Sequence, residues 1–368
     1  MRTLILTGPD NDDQRAVSRA LKLAFFERGD SCLVVDALAL LGQHIPLSQA
    51  RAMEQTALCT PRGFAFLSAG NAFLRTHKRK SLVYEINARY AEHLSTLLRE
   101  GEFDAVLCLH RYPAEAVSFL RKAITFSARC CYLSCDYACV PFLEETRLDH
   151  YFTAHESLTG AYEGRGMQTK RIVSGGMPVP ADWFSAEEKA DARALLNLPQ
   201  STPCYLVPFA EDPQAAVTAL LAHMNGDEGR ICVLAPDGAP PKSPFVARFA
   251  SDVRVIVLSP EDALSLYLRA CDVILSAPLG AISAFAAVHG KPLVHLPTLD
   301  SWQVQTAQFF SSRGMSLMGK DYEDAALLAL SLAKDEARKE AMCGSQQSES
   351  IPNAALRVVR FLHDGRLS

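Results

Sequence analysis

No apolar run in this 368-residue chain approaches the roughly 18 residues that a membrane-spanning helix needs, so the helical membrane class is set aside. An excess of Lys and Arg is also missing. The formal net charge of −4 argues against a nucleic-acid surface over the whole protein, while leaving room for a local basic patch. Glycine and proline, twenty of each, fall short of collagenous or low-complexity composition. The eleven cysteines lack metal spacing: Cys130, Cys131, Cys135 and Cys139 cluster without paired CxxC knuckles. They read as free buried thiols in a reducing compartment. The opening MRTLILTGPD is too short and too soon polar for a signal peptide, and reads as a first strand. The expected address is the cytoplasm, with a peripheral position at the inner face of the cell membrane.

What is present is a soluble composition, 49% hydrophobic and 21% charged, in a chain longer than one core usually grows. Two domains are expected. Short apolar runs alternate with helical patterns throughout. One strand series is Leu4–Thr7, Cys32–Val35, Ala105–Leu109, Cys131–Ser134, Tyr151–Thr153 and Ile172–Val173. A second is Tyr205–Phe209, Ile231–Leu234, Val253–Val257, Val273–Ser276 and Leu293–Leu296. Helical stretches such as Arg15–Arg28 and Leu264–Cys271 separate them. Regular strand–helix succession implies α/β architecture: two doubly wound, Rossmann-like parallel-sheet domains facing a cleft.

The break between the series lies near SGGMPVPADWFSAEEKADARALLNL, where Gly175, Gly176, Pro178 and Pro180 stop one element. Ser185 with Glu188 reads as a capping box for the next helix. The expected boundaries are residues 1–178, 179–345 and 346–368, the last holding a helix, Asn353–His363, beyond the polar GSQQSES stretch.

Cleft-facing chemistry is expected at the carboxyl ends of strands. Asp136 directly follows a strand, where it either meets a ligand or caps a turn. His110 ends the strand AVLCLH, and His155 with Glu156 opens a helix after Tyr151–Thr153; each is a cleft candidate or a structural strand-end residue. Glu144 and Glu145 either orient an acceptor headgroup or are solvated. The spacing of Asp136, His150 and His155 fits no metal-ligand rule, so no metal is expected. In GFAFLSAGNAFLRTHKRKS, residues 63–81, Phe64, Phe66 and Phe73 adjoin Arg75, Lys78, Arg79 and Lys80. Such a segment suits an anionic bilayer surface, or a helical excursion packed on the domain.

The segment SCDYACVPFLEETRLDHYFTAHESLTGAYEGRGMQTKRIVSGGMPVPADWF, 134–184, resembles the glycolipid glycosyltransferases that include monogalactosyldiacylglycerol synthase and the processive diacylglycerol glucosyltransferases. Carrying the resemblance are an aspartate after a strand, the run Pro-Phe-Leu-Glu-Glu-Thr, Asp-x-Tyr, His-Glu and Gly-x-Pro-Val. Strand order and the RGMS tail after Phe309 and Phe310 extend it over most of the chain. The resemblance implies the glycosyltransferase B fold, with an acceptor domain first, a sugar-nucleotide domain second and a last helix returning to the first. It also implies transfer of a hexose from a UDP-sugar, as substrate with no cofactor, to a lipid hydroxyl. No nucleic acid is expected as partner.

The chain departs from that pattern at the donor side. Where a glycine-rich loop ending in histidine is implied, TGPDNDDQ places Asn11, Asp12, Asp13 and Gln14. Gln14 cannot act as a base, so Asp136 becomes the next candidate. Asp12 and Gln14 join Glu144 and Glu145 as acceptor-side residues. The second glycine loop is replaced by VPFAEDPQ. In CDVILSAPLGAISAFAAVHGKPLVHLP, Phe285 stands near the implied acid, and Ala281, Ile282, Ala284 and Ala286 make an apolar helix face. Gly280, Ala281, Ile282, Asp300 and Gln305 are the donor-side candidates. The competing expectation is a catalytically degenerate relative that binds a lipid or a protein.

Overall fold

The computed structural model describes residues 1–8, 12–37, 91, 94–226, 229–235, 243–259 and 264–365. Segment 63–81 and Asn11 lie outside the described residues. The chain splits into two compact units. Unit 1 comprises Met1–Pro180, Leu299–Gln305 and Ile351–Ser368; unit 2 comprises Ala181–Thr298 and Thr306–Ser350. Each is built on a six-stranded parallel sheet.

In unit 1 the strands are β1 (Arg2–Thr7), β2 (Ser31–Asp36), β3 (Ala105–Cys108), β4 (Arg129–Leu133), β5 (His150–Thr153) and β6 (Ile172–Ser174). Their order is β2-β1-β3-β4-β5-β6. Central strands are continuous apolar runs because both faces are covered: every residue of AVLC in β3 is buried. Edge strand β2 leaves Leu33 and Val34 exposed. Helix α1 (Asp12–Glu27) buries Val17, Leu21 and Phe25, four apart on one face. It begins at Asp12, three residues before the expected start. Asp12 and Asp13 therefore sit in its first turn, where the helix dipole favours negative charge. Helix α2 (Arg111–Ala123) follows β3, and the short α3 (Thr159–Gly164) follows β5.

In unit 2 the strands are β7 (Cys204–Val207), β8 (Arg230–Leu234), β9 (Val255–Leu258), β10 (Val273–Ser276), β11 (Leu293–His295) and β12 (Leu317–Met318), in the order β12-β11-β10-β7-β8-β9. The helices are α4 (Lys189–Leu195), α5 (Pro213–His223), α6 (Pro244–Phe249), α7 (Leu264–Ala270), α8 (Gly280–His289), α9 (Ser301–Ser312, whose residues up to Gln305 group with unit 1), α10 (Tyr322–Lys334) and α11 (Glu336–Glu349). The core beneath β7, β8, β10 and β11 gathers Val217, Leu220, Ile231, Val273 and Leu332, all fully buried. Each such side chain contributes about 1.5–3 kcal/mol by leaving water.

One local expectation is corrected. Ser185 and Glu188 do not form a capping box: Ser185 Oγ accepts from Glu187 N–H, and α4 starts at Lys189 with no side-chain cap from Glu188. The GSQQSES stretch forms the end of α11. Its Gln346 is fully buried and donates through Nε2 to the carbonyls of Lys291 and Met315, both at 2.8 Å. A polar side chain there serves two otherwise orphaned buried carbonyls.

The last helix, α12 (Ala354–Asp364), groups with unit 1 and packs on α1. Arg129 donates to the carbonyls of Phe361 and Leu362 at 3.1 and 2.9 Å, satisfying part of the open helix end. Asp30 accepts from the chain's amino terminus at 2.7 Å and pairs with His363 at 2.6 Å. Gly176, at φ +84°, lies against this helix; an added Cβ would stand 2.8–2.9 Å from side-chain atoms of Ile351 and Ala354.

Candidate active site

Strand order in unit 1 reverses between β1 and β3, since β2 lies on one side of β1 and all later strands on the other. Ligands bind at such switch points, just past the carboxyl ends of the strands. The register pairs Leu6 with Cys108 and Cys108 with Tyr132. Two residues further along, Gly8, His110 and Ser134 therefore stand level at the exit of β1, β3 and β4.

Gly8 is required there by space. A Cβ on it would lie 2.4 Å from His110 Cγ, so the imidazole occupies the volume of the missing side chain. The Gly8 N–H donates to Gln14 Oε1 at 2.6 Å. Gln14 is buried, and its amide ties Gly8 to the first turn of α1. Asp12 pairs with Arg15 at 2.5 Å on the exposed side of the same turn. Asp13 is buried, and its charge acts on Cys135 and Tyr137 in the loop after β4.

Both candidate histidines cap helices. His110 Nδ1 accepts from Tyr112 N–H at 3.2 Å at the start of α2. His155 Nδ1 accepts from Ser157 N–H at 3.2 Å, ahead of the 3-10 turn Glu156–Leu158. An imidazole that accepts at Nδ1 carries its proton on Nε2 when neutral.

Asp136 differs. It lies two residues past Ser134, whose Oγ donates to the Asp136 carbonyl at 2.9 Å. The Asp136 carboxylate is partly buried and makes no hydrogen bond or ion pair among the described residues. Burial first, and the charge of Asp300 second, push it from 3.8 up to about 7. Asp300 reaches it because segment 299–305 groups with unit 1. Asp300 Oδ1 is itself held by the N–H groups of Trp302 and Gln303 at 2.8 and 3.1 Å at the start of α9. A carboxylate poised near neutrality beside a fixed negative charge is suited to taking a proton at physiological pH.

The neighbouring acids are arranged differently. Glu144 and Glu145 form the 3-10 turn Leu143–Glu145. Glu145 is buried, and Glu144 lies 3.9 Å from Arg165. The preceding Phe142 adopts φ +67°, a left-handed conformation costly for an aromatic residue, with Arg111 over its ring at 5.4 Å. Gln305 Nε2 turns back to the Ser301 carbonyl at 3.2 Å. Segment 299–305 escaped the sequence reading as a neighbour of Asp136; the only signal available was the Asp-Ser-Trp helix start.

In unit 2 the strand order reverses between β7 and β10. There the Phe209 carbonyl accepts from Ala277 N–H at 2.8 Å and from Ser276 Oγ at 3.3 Å. Gly280, Ala281 and Ile282 form the buried first turn of α8 behind Leu279, which gives no side-chain cap. Phe285, fully buried, lies 5.2 Å from both Phe184 and His289 and 6.1 Å from Trp183, ring centre to ring centre. Among the described residues no group of three His, Cys, Asp or Glu side chains could hold a metal ion. Nor is any described helix long and apolar enough to cross a membrane.

Residues 14–179, which include Asp136 and the Glu144–Glu145 turn, match the family described as monogalactosyldiacylglycerol (MGDG) synthase. That match spans less than half of the 368-residue chain. Solved structures share the fold over nearly the whole chain. MurG of Acinetobacter baumannii aligns with TM-score 0.60 and 12% identity, covering 99% of each chain. The S. aureus MnaA–UDP structure aligns with TM-score 0.63 and 13% identity, over 98% of this chain and 95% of that one. Glycosyltransferase SnogD of Streptomyces nogalater gives 0.59 and 13%, over 98% and 99%. The fold is glycosyltransferase B, and the residues that match the MGDG synthase family lie in unit 1. No curated protein matches the sequence.

Proposed function

We propose that this protein is a hexosyltransferase moving a sugar from a UDP-hexose to the hydroxyl of a diacylglycerol-type lipid, with unit 1 on the acceptor side and unit 2 on the donor side. The observation that carries this reading is the partly buried Asp136 carboxylate, without a hydrogen bond or ion pair among the described residues, past the strand ends of the unit that matches the MGDG synthase family, its pKa raised to about 7. Asp136 removes the proton from the acceptor hydroxyl as that oxygen attacks the anomeric carbon. The bond to the diphosphate breaks, and UDP leaves with the electron pair. A base whose pKa matches the working pH balances deprotonated fraction against proton affinity. His110 and His155 stand at strand ends on the acceptor side. A lipid acceptor puts the protein at a bilayer surface, on the inner face of the cell membrane.

A second reading is favoured by Phe285. Its buried ring stands where the glycolipid glycosyltransferase pattern has an acid for nucleotide or sugar hydroxyls, and hydrocarbon cannot accept those hydrogen bonds. On that reading the chain keeps acceptor binding and has lost transfer. Calorimetric titration with UDP and UDP-hexoses separates the two. Saturable binding supports the transferase; no heat and no thermal shift with any of them leaves the binding protein.

A further inference from the structure

Unit 2 contains a cavity of about 410 Å³ at the amino ends of β7 and β10, the sheet edge opposite Ala277 and Gly280. That volume falls in the range that accepts small ligands. Lys189 and Arg193 of α4 line one side, Ser201 and Thr202 of the turn before β7 another, and Lys339 of α11 a third.

Asp272, immediately before β10, sits among them. Its Oδ1 accepts from Lys189 Nζ at 2.5 Å; its Oδ2 accepts from Arg193 Nη2 at 2.5 Å and from Cys204 N–H at 2.7 Å. Burial pushes this carboxyl up, but Lys189, the Cys204 amide and Arg193 outweigh it and hold it below 3.8. It is a saturated anion, and two cations share it. Lys339 is separately matched by Glu336 at 2.6 Å. The lining therefore keeps one positive charge in excess, located on Lys189 and Arg193.

Donors remain for a ligand. The Arg193 side chain is 4% exposed. Of its five N–H groups, four go to the carbonyls of Ala270, Pro199 and Gln200 and to Asp272. One is left over. The hydroxyls of Ser201 and Thr202 make no hydrogen bond among the described residues. Excess positive charge with several convergent donors selects an oxyanion over a neutral sugar or a cation. A tetrahedral phosphate, with oxygens on every side, meets donors from two sides better than a planar carboxylate does.

We propose that this cavity binds a small phosphate-bearing metabolite through Lys189, Arg193, Ser201 and Thr202, at a site separate from Asp136. The inference does not rest on the proposed transferase activity. Its test is calorimetric titration of the full chain with inorganic phosphate at low ionic strength, where charge contacts are least screened. Saturable one-to-one binding is expected. It should weaken by about tenfold or more in Lys189→Gln and in the Ser201→Ala/Thr202→Ala double variant, and stay unchanged in Asp136→Asn. Lys189 is 46% exposed, so its loss leaves the fold intact, which thermal unfolding checks. Should Lys189→Gln fail to fold, the double variant alone decides. Absence of saturation with millimolar phosphate overturns the proposal, and so does equal affinity in the wild type and the double variant.

Discussion

Replacing Asp136 by Asn should change how the stability of this protein depends on pH, and the direction is fixed by the site. In the folded protein the carboxyl keeps its proton to about pH 7, whereas at its ordinary value of 3.8 an unfolded chain releases it. The folded state therefore binds more protons between those values, so stability is lost as pH rises through that window. At about 1.4 kcal/mol per pKa unit, the ceiling is about 4 kcal/mol. Asp136 is only partly buried, and water at the carboxylate reduces the expected effect to about 1–2 kcal/mol. Asn cannot ionise, so the variant should gain that amount over wild type at pH 8 relative to pH 4. Urea unfolding at four pH values between these limits measures it, because all other titrating groups cancel in the difference. Asp300→Asn should shrink the same slope by removing the neighbouring charge. Parallel stability curves for wild type and Asp136→Asn would refute the assignment of a perturbed carboxyl to this position.

Two further outcomes follow from packing. Gly8→Ala places a Cβ 2.4 Å from His110 Cγ and should cost about 1–3 kcal/mol while displacing the imidazole, seen as a shifted His110 ring resonance. His295 is fully buried, held by Ser283 and Ser316 at 3.0 and 3.2 Å, and burial lowers it to about 3. The unfolded chain takes up its proton below about pH 6.5, so this residue's contribution is present above 6.5 and is lost as pH falls toward 3. His295→Ala should cost about 2–4 kcal/mol at pH 7.5, and its stability should decline less steeply than wild type below pH 6.5.

Much of this was legible in the sequence because parallel strands buried on both faces write themselves as unbroken apolar runs. Ala105–Leu109 and Val273–Ser276 are such runs, and both match observed strands within a residue. The two-residue β12 carries too little pattern to be seen. Ser185 and Glu188 had the spacing of a capping box, yet Ser185 turned to Glu187 and the helix began later. The service of Gln346 to two buried carbonyls has no pattern in the sequence to announce it. At the candidate site, strand-end position singled out Asp136, His110 and His155. What sequence could not supply was the state of each group. The Nδ1 caps of the histidines depend on local dihedrals, and the influence of Asp300 on Asp136 spans more than 160 residues of chain. The Asp272 network likewise joins α4 to a strand some eighty residues later, and no spacing rule links them.

The central claim is that Asp136 is the base of a sugar transfer. It is tested most directly by following radiolabelled hexose from UDP-hexose into diacylglycerol vesicles, with wild-type protein and Asp136→Asn. Wild type should label the lipid with a rate that rises through about pH 7, and the variant should lose about 10²- to 10⁴-fold in rate and the pH dependence with it. A variant that labels lipid as fast as wild type, or wild-type protein that labels none, contradicts the account.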